Sequence, residues 1–190
     1  MDIETLCENI YEDLEGNVSQ INSTYMGLSF VYETNHWDNF DNRIKLLIEC
    51  EDVVDSTIKL DAGGSFRLFE EHPVLDDYIG DAGGLYFSTK PENPNEIIGL
   101  LYQAHDSYFL GWRELSKYIN TQLPLTELLE NSGGSIANAP IKVLNHYKDA
   151  ISGYLKVNIV KSHTMNGNYK MLAVEDTYIV CKTIKVSIIN

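Results

Sequence analysis

The chain has 190 residues, a hydrophobic fraction of 44% and a net charge of −14. A chain of this length and apolar content is not disordered, and it can bury enough surface to fold without disulfides or a structural metal ion. The negative charge argues against direct binding to nucleic acid or to an anionic membrane.

The negative charge is concentrated toward the N-terminal side of the chain. Residues 1–81 contain 19 acidic and four basic residues, whereas residues 82–190 contain nine acidic and ten basic residues. Solubility needs only a modest net charge that is spread over the surface. Acidic side chains that are concentrated in one part of a chain repel one another and destabilise it. Their expected function is to steer and hold a basic partner.

The N-terminus and the cysteines predict a cytoplasmic protein. Residues 1–4 lack the basic region and apolar stretch of a signal peptide, and no run reaches the roughly 20 apolar residues of a membrane span. Cys7, Cys50 and Cys181 are odd in number and widely spaced. This pattern argues against a disulfide framework and favours a reducing compartment.

Residues 2–15 are predicted to form an amphipathic helix. Apolar residues recur at helical spacing, Asp2 is placed to cap the helix and Gly16 to end it. The exposed face of this helix carries the acidic residues Glu4, Glu8, Glu12, Asp13 and Glu15.

Strand-like sequence follows the predicted helix. Residues 25–33 and 43–50 are rich in aliphatic and aromatic side chains, and the polar residues 36–42 are expected to connect them. Residues 56–60 and 66–70 have the pattern of a hairpin.

The tetrapeptide Asp-Ala-Gly-Gly occurs twice, at residues 61–64 and again at 81–84. We interpret both copies as independent turns that need the positive φ of glycine, rather than as a duplication. Two copies are also too few for a repeat architecture.

The longest predicted helix covers residues 95–120, with Pro94 at its entry. Its apolar residues step by three and four positions and form a continuous seam, which consists of Ile97, Leu101, Ala104, Tyr108, Trp112, Leu115 and Ile119. Residues 124–130 indicate a short helix, and residues 140–152 a further one.

Residues 155–160, 169–174 and 178–189 are predicted to form a C-terminal three-stranded meander, with Asn166-Gly167 as a tight turn. We therefore predict a single α+β domain over residues 1–190, with a mixed or mainly antiparallel sheet and one long packing helix. The best internal boundary lies near residues 131–139, where Gly133 and Gly134 have small polar neighbours.

His36, Asp38 and Asp41 are the best candidates for metal binding or acid–base chemistry. An imidazole and two carboxylates within six residues have the chemistry of ligands for a divalent ion. Surface loops carry such residues more often for polarity alone. Trp37 and Phe40 lie between them, a composition that equally suits an interaction hot spot.

Two further acidic clusters stand out. Carboxylates in such a pattern on a strand edge suit a metal ion or a mimic of spaced phosphates, but a solvated turn is the simpler interpretation of both. The first consists of Glu49, Glu51, Asp52 and Asp55, and the second of Glu70, Glu71, Asp76 and Asp77 beside His72. Neither has the spacing of a calcium-binding loop. The sequence also lacks a nucleophile elbow, a phosphate-binding loop and a Cys-x-x-Cys pair, so we expect no cofactor.

These observations favour a non-catalytic inhibitor that binds and neutralises a basic protein, such as a toxin or a nucleic-acid enzyme, in the manner of immunity proteins and antitoxins. One alternative is a DNA mimic that blocks a nucleic-acid-binding defence enzyme, and another is a metal-dependent enzyme that uses His36, Asp38 and Asp41. The predicted partner-binding residues are Glu8, Glu12, Asp13, Trp37, Asp38, Asp41, Glu51, Asp52 and Asp55.

Overall fold

The computed structural model describes residues 1–10, 14–25 and 27–189. The chain divides into two compact units, of which the first comprises residues 1–75 and 168–190 and the second residues 76–167. The first unit contains 18 acidic and seven basic residues, and the second unit contains ten and seven. Most of the excess negative charge therefore belongs to the first unit.

The chain forms most of the first unit, then the whole second unit, and then returns to complete the first. The first unit begins with α1 (Ile3–Asn9), β1 (Asn17–Thr24), β2 (Gly27–His36), β3 (Asn39–Glu51), β4 (Asp55–Ser56) and β5 (Phe66–Phe69). The second unit contains β6 (Ile79–Phe87), α2 (Pro94–Phe109), α3 (Leu125–Leu128), β7 (Gly134–Pro140), α4 (Ile141–Ile151) and β8 (Val157–Asn166). The chain then returns to the first unit with β9 (Lys170–Val174), β10 (Thr177–Cys181) and β11 (Thr183–Ile189).

The first unit is built from two four-stranded antiparallel sheets. Their strand orders are β1-β2-β3-β11 and β4-β10-β9-β5. The chain passes from one sheet to the other twice, between β3 and β4 and between β10 and β11. Alternate residues of both sheets meet in one core, to which Phe30, Ile48, Leu172 and Ile179 contribute.

Helix α1 adds Ile3 and Leu6 to this core. The side chain of Asp2 caps it as predicted, because the carboxylate accepts a hydrogen bond of 2.7 Å from the Thr5 N–H. The helix is shorter than expected and ends at Asn9, since Ile10 has extended backbone angles. Glu12 and Asp13, which were assigned to its exposed face, lie outside the described residues.

The second unit consists of a three-stranded antiparallel sheet, ordered β7-β6-β8, and the packed helices α2 and α4. Helix α4 contacts all three strands. The apolar sides of helices and sheet close a separate core around Leu85, Leu101, Leu144 and Tyr147. The predicted α+β class, the antiparallel pairing and the long helix are confirmed.

The long helix is shorter than the apolar seam predicts. Helix α2 ends at Phe109, because Leu110 has φ of 50° and Gly111 has φ of 87°. Both values lie in the left-handed region, where an α-helix cannot continue. Ile97, Leu101 and Ala104 are buried as expected, whereas Tyr118 returns to stack on Phe109 with 5.2 Å between ring centroids. Across the described ranges, no helix is long and apolar enough to cross a membrane.

Several predicted strand pairings are wrong, and the strand predicted over residues 56–60 is reduced to β4, which covers Asp55–Ser56 only. Strands β4 and β5 do not form a hairpin, because β10 and β9 lie between them. The three C-terminal stretches do not form a meander, since β8 pairs with β6 and β11 with β3, and only β9 and β10 pair with each other. Alternation of side chains identifies a strand, but it does not identify the neighbouring strand.

The second Asp-Ala-Gly-Gly copy is not a turn but part of the central strand β6. A Cβ atom on Gly83 would lie 2.4 Å from the carbonyl oxygen of Val160 on β8. Glycine is needed here for close approach of two strands and not for a positive φ. Strand β7 occupies most of the segment that the sequence favours as an internal boundary.

Substituting two glycines of the second unit is expected to have opposite effects. Gly83→Ala should lower the free energy of unfolding by about 2 kcal/mol, because strand β8 must move away from the added methyl group. Gly99→Ala should raise it by about 1 kcal/mol, since Gly99 is exposed in α2 and has open space around it. Urea unfolding followed by circular dichroism measures both changes. Equal midpoints for the two variants would contradict the close approach of β6 and β8 at Gly83.

Candidate functional site

The connection between β2 and β3 is an ordered two-residue turn made by Trp37 and Asp38. His36 and Asn39 pair across it. Nδ1 of His36 accepts a hydrogen bond of 3.1 Å from the backbone N–H of Asp38. The ring of Trp37 stacks on His36 with 4.7 Å between centroids, and its half-buried side chain packs against the core of the first unit. The predicted polar loop is therefore a tight hairpin held at its base.

Two carboxylates at this turn are directed to solvent. Asp38 and Asp41 are exposed, and no basic side chain among the described residues lies within 4.0 Å of either carboxylate. Phe40 lies beside them with 55% of its surface exposed. We call Trp37, Asp38, Phe40 and Asp41 the hairpin tip. It combines uncompensated negative charge with aromatic surface.

The structure does not assemble His36, Asp38 and Asp41 into a metal site. Within residues 1–10, 14–25 and 27–189, no three His, Cys, Asp or Glu side chains are grouped so that they could hold a metal ion. Nδ1 of His36 is also occupied by the Asp38 N–H. The three residues are thus close in sequence, but their side chains do not converge on one point.

The second predicted cluster is partly neutralised by neighbouring groups. Glu51 forms an ion pair with Lys185 on the adjacent strand β11, and Asp52 pairs with Lys182 at 3.3 Å. Asp55 is half-buried, and its carboxylate accepts a hydrogen bond of 3.0 Å from the Tyr178 hydroxyl.

This cluster and the hairpin tip lie at opposite ends of β3. The strand runs from Asn39 to Glu51, so roughly 40 Å of extended chain separates them at about 3.3 Å per residue. Glu8 is exposed on a third element, α1. The described members of the predicted partner-binding set therefore belong to separate places in the first unit.

Asp77 in the second unit is a buried charged group that the sequence does not predict. Its side chain is only 7% exposed, so the predicted solvated turn is wrong for Asp77. The carboxylate accepts hydrogen bonds from Nε of Arg113 at 3.0 Å, Nζ of Lys117 at 2.7 Å and the hydroxyl of Tyr118 at 2.9 Å. The Arg113 side chain is buried as well, at 8% exposure.

Asp76, the neighbour of Asp77, has a comparable environment. Its carboxylate accepts hydrogen bonds from the Tyr108 hydroxyl at 2.6 Å and from Nζ of Lys142 at 2.7 Å. Buried carboxylates are stable only when charged or hydrogen-bonding groups surround them. The only local signal in the sequence is the apolar pair Val74 and Leu75, which is buried immediately before them.

A buried histidine extends this network. Nε2 of His105 lies 2.8 Å from the carbonyl oxygen of Arg113, and Nδ1 lies 2.7 Å from the hydroxyl of Tyr147. Because a carbonyl oxygen only accepts, Nε2 of His105 donates its proton to the Arg113 carbonyl, and Nδ1 faces the Tyr147 hydroxyl. Burial, reinforced by the Asp77 charge, raises the pKa of Tyr118 and of Tyr147. Both phenols therefore remain protonated donors, and the network serves to hold the fold.

The three cysteines are free thiols. Cys50 and Cys181 are distant in sequence, but they are buried together and hydrogen-bonded to each other. That hydrogen bond and burial raise the pKa of Cys50. Burial is also the main cause that raises the pKa of Cys7 to about 11. Neither Cys7 nor Cys50 is thus an activated thiolate at neutral pH.

Comparison of the chain with protein-family models, with curated proteins and with solved structures found no match in any of the three.

Removing the charge of Asp77 is expected to destabilise the second unit. Asp77→Asn should lower the free energy of unfolding by about 3 kcal/mol, because it removes the buried carboxylate that accepts hydrogen bonds from Arg113, Lys117 and Tyr118. Glu130→Gln is the matched control, since Glu130 pairs with Lys90 where both side chains are more than half exposed, and it should cost at most about 1 kcal/mol. Chemical unfolding measures both variants. Similar losses would show that Asp77 is not the central ion of the network.

Proposed function

We propose that this chain is a non-catalytic acidic protein that binds and neutralises a basic protein partner through the hairpin tip. The observation that supports this most directly is the pair of exposed carboxylates, Asp38 and Asp41, which have no described counter-ion and lie beside Trp37 and Phe40. Aromatic side chains supply anchoring contact area at interfaces, and charges supply orientation and a fast association rate.

The charge of the first unit supports the same proposal. Its 18 acidic and seven basic residues give a net charge of −11, which extends the attraction for a basic surface beyond the tip. A fitting partner is a toxin or a nucleic-acid enzyme whose functional surface is positively charged. Such a role corresponds to that of a cytoplasmic immunity protein or antitoxin.

The other acidic residues are expected to contribute less to partner binding than the hairpin tip. Glu8 adds an exposed carboxylate on α1. Glu51 and Asp52 already have lysine partners, so they gain less from a basic partner than Asp38 and Asp41 do. Asp55 is engaged by Tyr178. The tip is therefore the expected centre of the interface.

The test compares two variants with the same change in net charge. A tagged chain captures candidate partners from the lysate of its native cell at low and at high salt, and each purified candidate is then titrated by calorimetry. Asp38→Lys/Asp41→Lys should weaken binding by at least about 100-fold. Glu127→Lys/Glu130→Lys, on the exposed surface of the second unit, should weaken binding only a few-fold, since it changes the long-range field alone.

Three outcomes would contradict the proposal. Equal losses in the two double variants would show that net charge alone matters. A captured protein with no basic surface, or binding that is insensitive to salt, would exclude a charge-driven contact. Duplex DNA tests whether the chain is a DNA mimic. If DNA competes with the chain for the partner, the mimic is favoured. If the partner binds DNA and the chain at the same time, the mimic is excluded.

A further inference from the structure

Cys50 and Cys181 lie where the chain crosses between the two sheets of the first unit. Cys50 is the last residue but one of β3, and Cys181 is the last residue of β10. The chain leaves one sheet after β3 and returns to it after β10, so each cysteine stands next to one of the two crossings. The whole second unit lies between the two cysteines in sequence.

The two crossings are in direct contact. The backbone N–H of Lys182 donates to the carbonyl oxygen of Glu51 at 3.1 Å, and the N–H of Val54 donates to the carbonyl oxygen of Val180 at 3.0 Å. The residues on both sides of Cys181 are therefore bonded to the segment that follows Cys50. A disulfide requires two strands whose Cα atoms lie within about 7 Å, and these hydrogen bonds hold the two crossings close together.

The two thiols also face each other inside the core of the first unit. Cys50 is 2% exposed and Cys181 is fully buried, and their side chains are hydrogen-bonded to each other. The hydrogen bond from Cys50 lowers the pKa of Cys181, although burial opposes this effect. Cys181 is therefore the thiol of the pair that loses its proton more readily, and the thiolate is the form of cysteine that reacts.

We infer that Cys50 and Cys181 form a reversible disulfide when a peroxide such as hydrogen peroxide reaches them. The Cys181 sulfur, as the thiolate, attacks one peroxide oxygen and the O–O bond breaks, which gives a sulfenic acid and a hydroxide that takes up the proton released by Cys181. The Cys50 sulfur then attacks the sulfenic sulfur, and hydroxide leaves with the Cys50 proton as water. In total, the two thiols lose two electrons and two protons, and one peroxide molecule becomes two water molecules.

The disulfide has a structural consequence that follows from the order of the units along the chain. It joins β3, within residues 1–75, to β10, within residues 168–190, and the backbone connects these two parts of the first unit only through the second unit. Closing so large a loop removes conformational entropy from the unfolded chain, so oxidation stabilises the first unit. This inference is independent of the proposed function, since both cysteines are buried and lie outside the hairpin tip.

The first experiment uses the Cys7→Ser chain, in which Cys50 and Cys181 are the only thiols. The folded protein is treated with hydrogen peroxide, the remaining thiols are alkylated, and the unreduced digest is analysed by mass spectrometry. We expect both thiols to disappear together, the intact mass to fall by two hydrogen atoms, and one peptide pair to be linked through Cys50 and Cys181. Dithiothreitol should restore both thiols. Two free thiols after prolonged treatment, or separate sulfinic acids on them, would overturn the inference.

The second experiment measures the stabilisation. The urea midpoint of the oxidised Cys7→Ser chain should lie about 1 M above that of the reduced chain. Cys50→Val in the same background is the matched control, because it keeps an apolar side chain of similar size in the core but cannot form the disulfide. Its midpoint should not change after peroxide treatment, and near-ultraviolet circular dichroism confirms that it is folded. An unchanged or lower midpoint of the oxidised chain, or an equal shift in the control, would also contradict the disulfide.

Discussion

The buried ion pair between Asp77 and Arg113 is the interaction around which the second unit is organised. Taking both charges out of water costs several kcal/mol, so the arrangement persists only because the lone pairs of the carboxylate are also used by Lys117 and Tyr118. These contacts hold the segment that follows α2 against the sheet. There, the Tyr118 carbonyl accepts from the Asn138 N–H, and the Asn120 N–H donates to Ile136, so the free edge of β7 is covered.

Acidic residues have two different physical roles in this chain. In the second unit, Asp76 and Asp77 are buried and surrounded by donors, and they stabilise the fold. In the first unit, Asp38 and Asp41 are exposed without described counter-ions, and they are available to another molecule. Composition alone counts all four equally. Burial and ion pairing therefore decide which carboxylates are available to a partner protein.

The sequence predicts those features that depend on neighbours along the chain. Asp2 caps α1, the strands β2 and β3 contain the predicted apolar runs, and α4 begins after Pro140, because each of these signals is local. Strand partners and the environment of Asp77 depend on residues tens of positions away, which no local pattern encodes. The end of α2 falls between these cases. Gly111 gives a local signal for it, but the left-handed Leu110 does not.

The return of the chain from the second unit to the first has a consequence for biosynthesis. Strands β9 and β10 are the inner strands of one sheet, and β11 is the neighbour of β3 in the other, yet all three follow residue 167. Neither sheet of the first unit can be completed on the ribosome until these last strands have emerged. The second unit is continuous in sequence and is synthesised earlier. During translation, β3 and its apolar face therefore remain unpaired with β11 until the end of synthesis. Exposed strand edges and apolar surface of this kind make a newly made chain prone to aggregation.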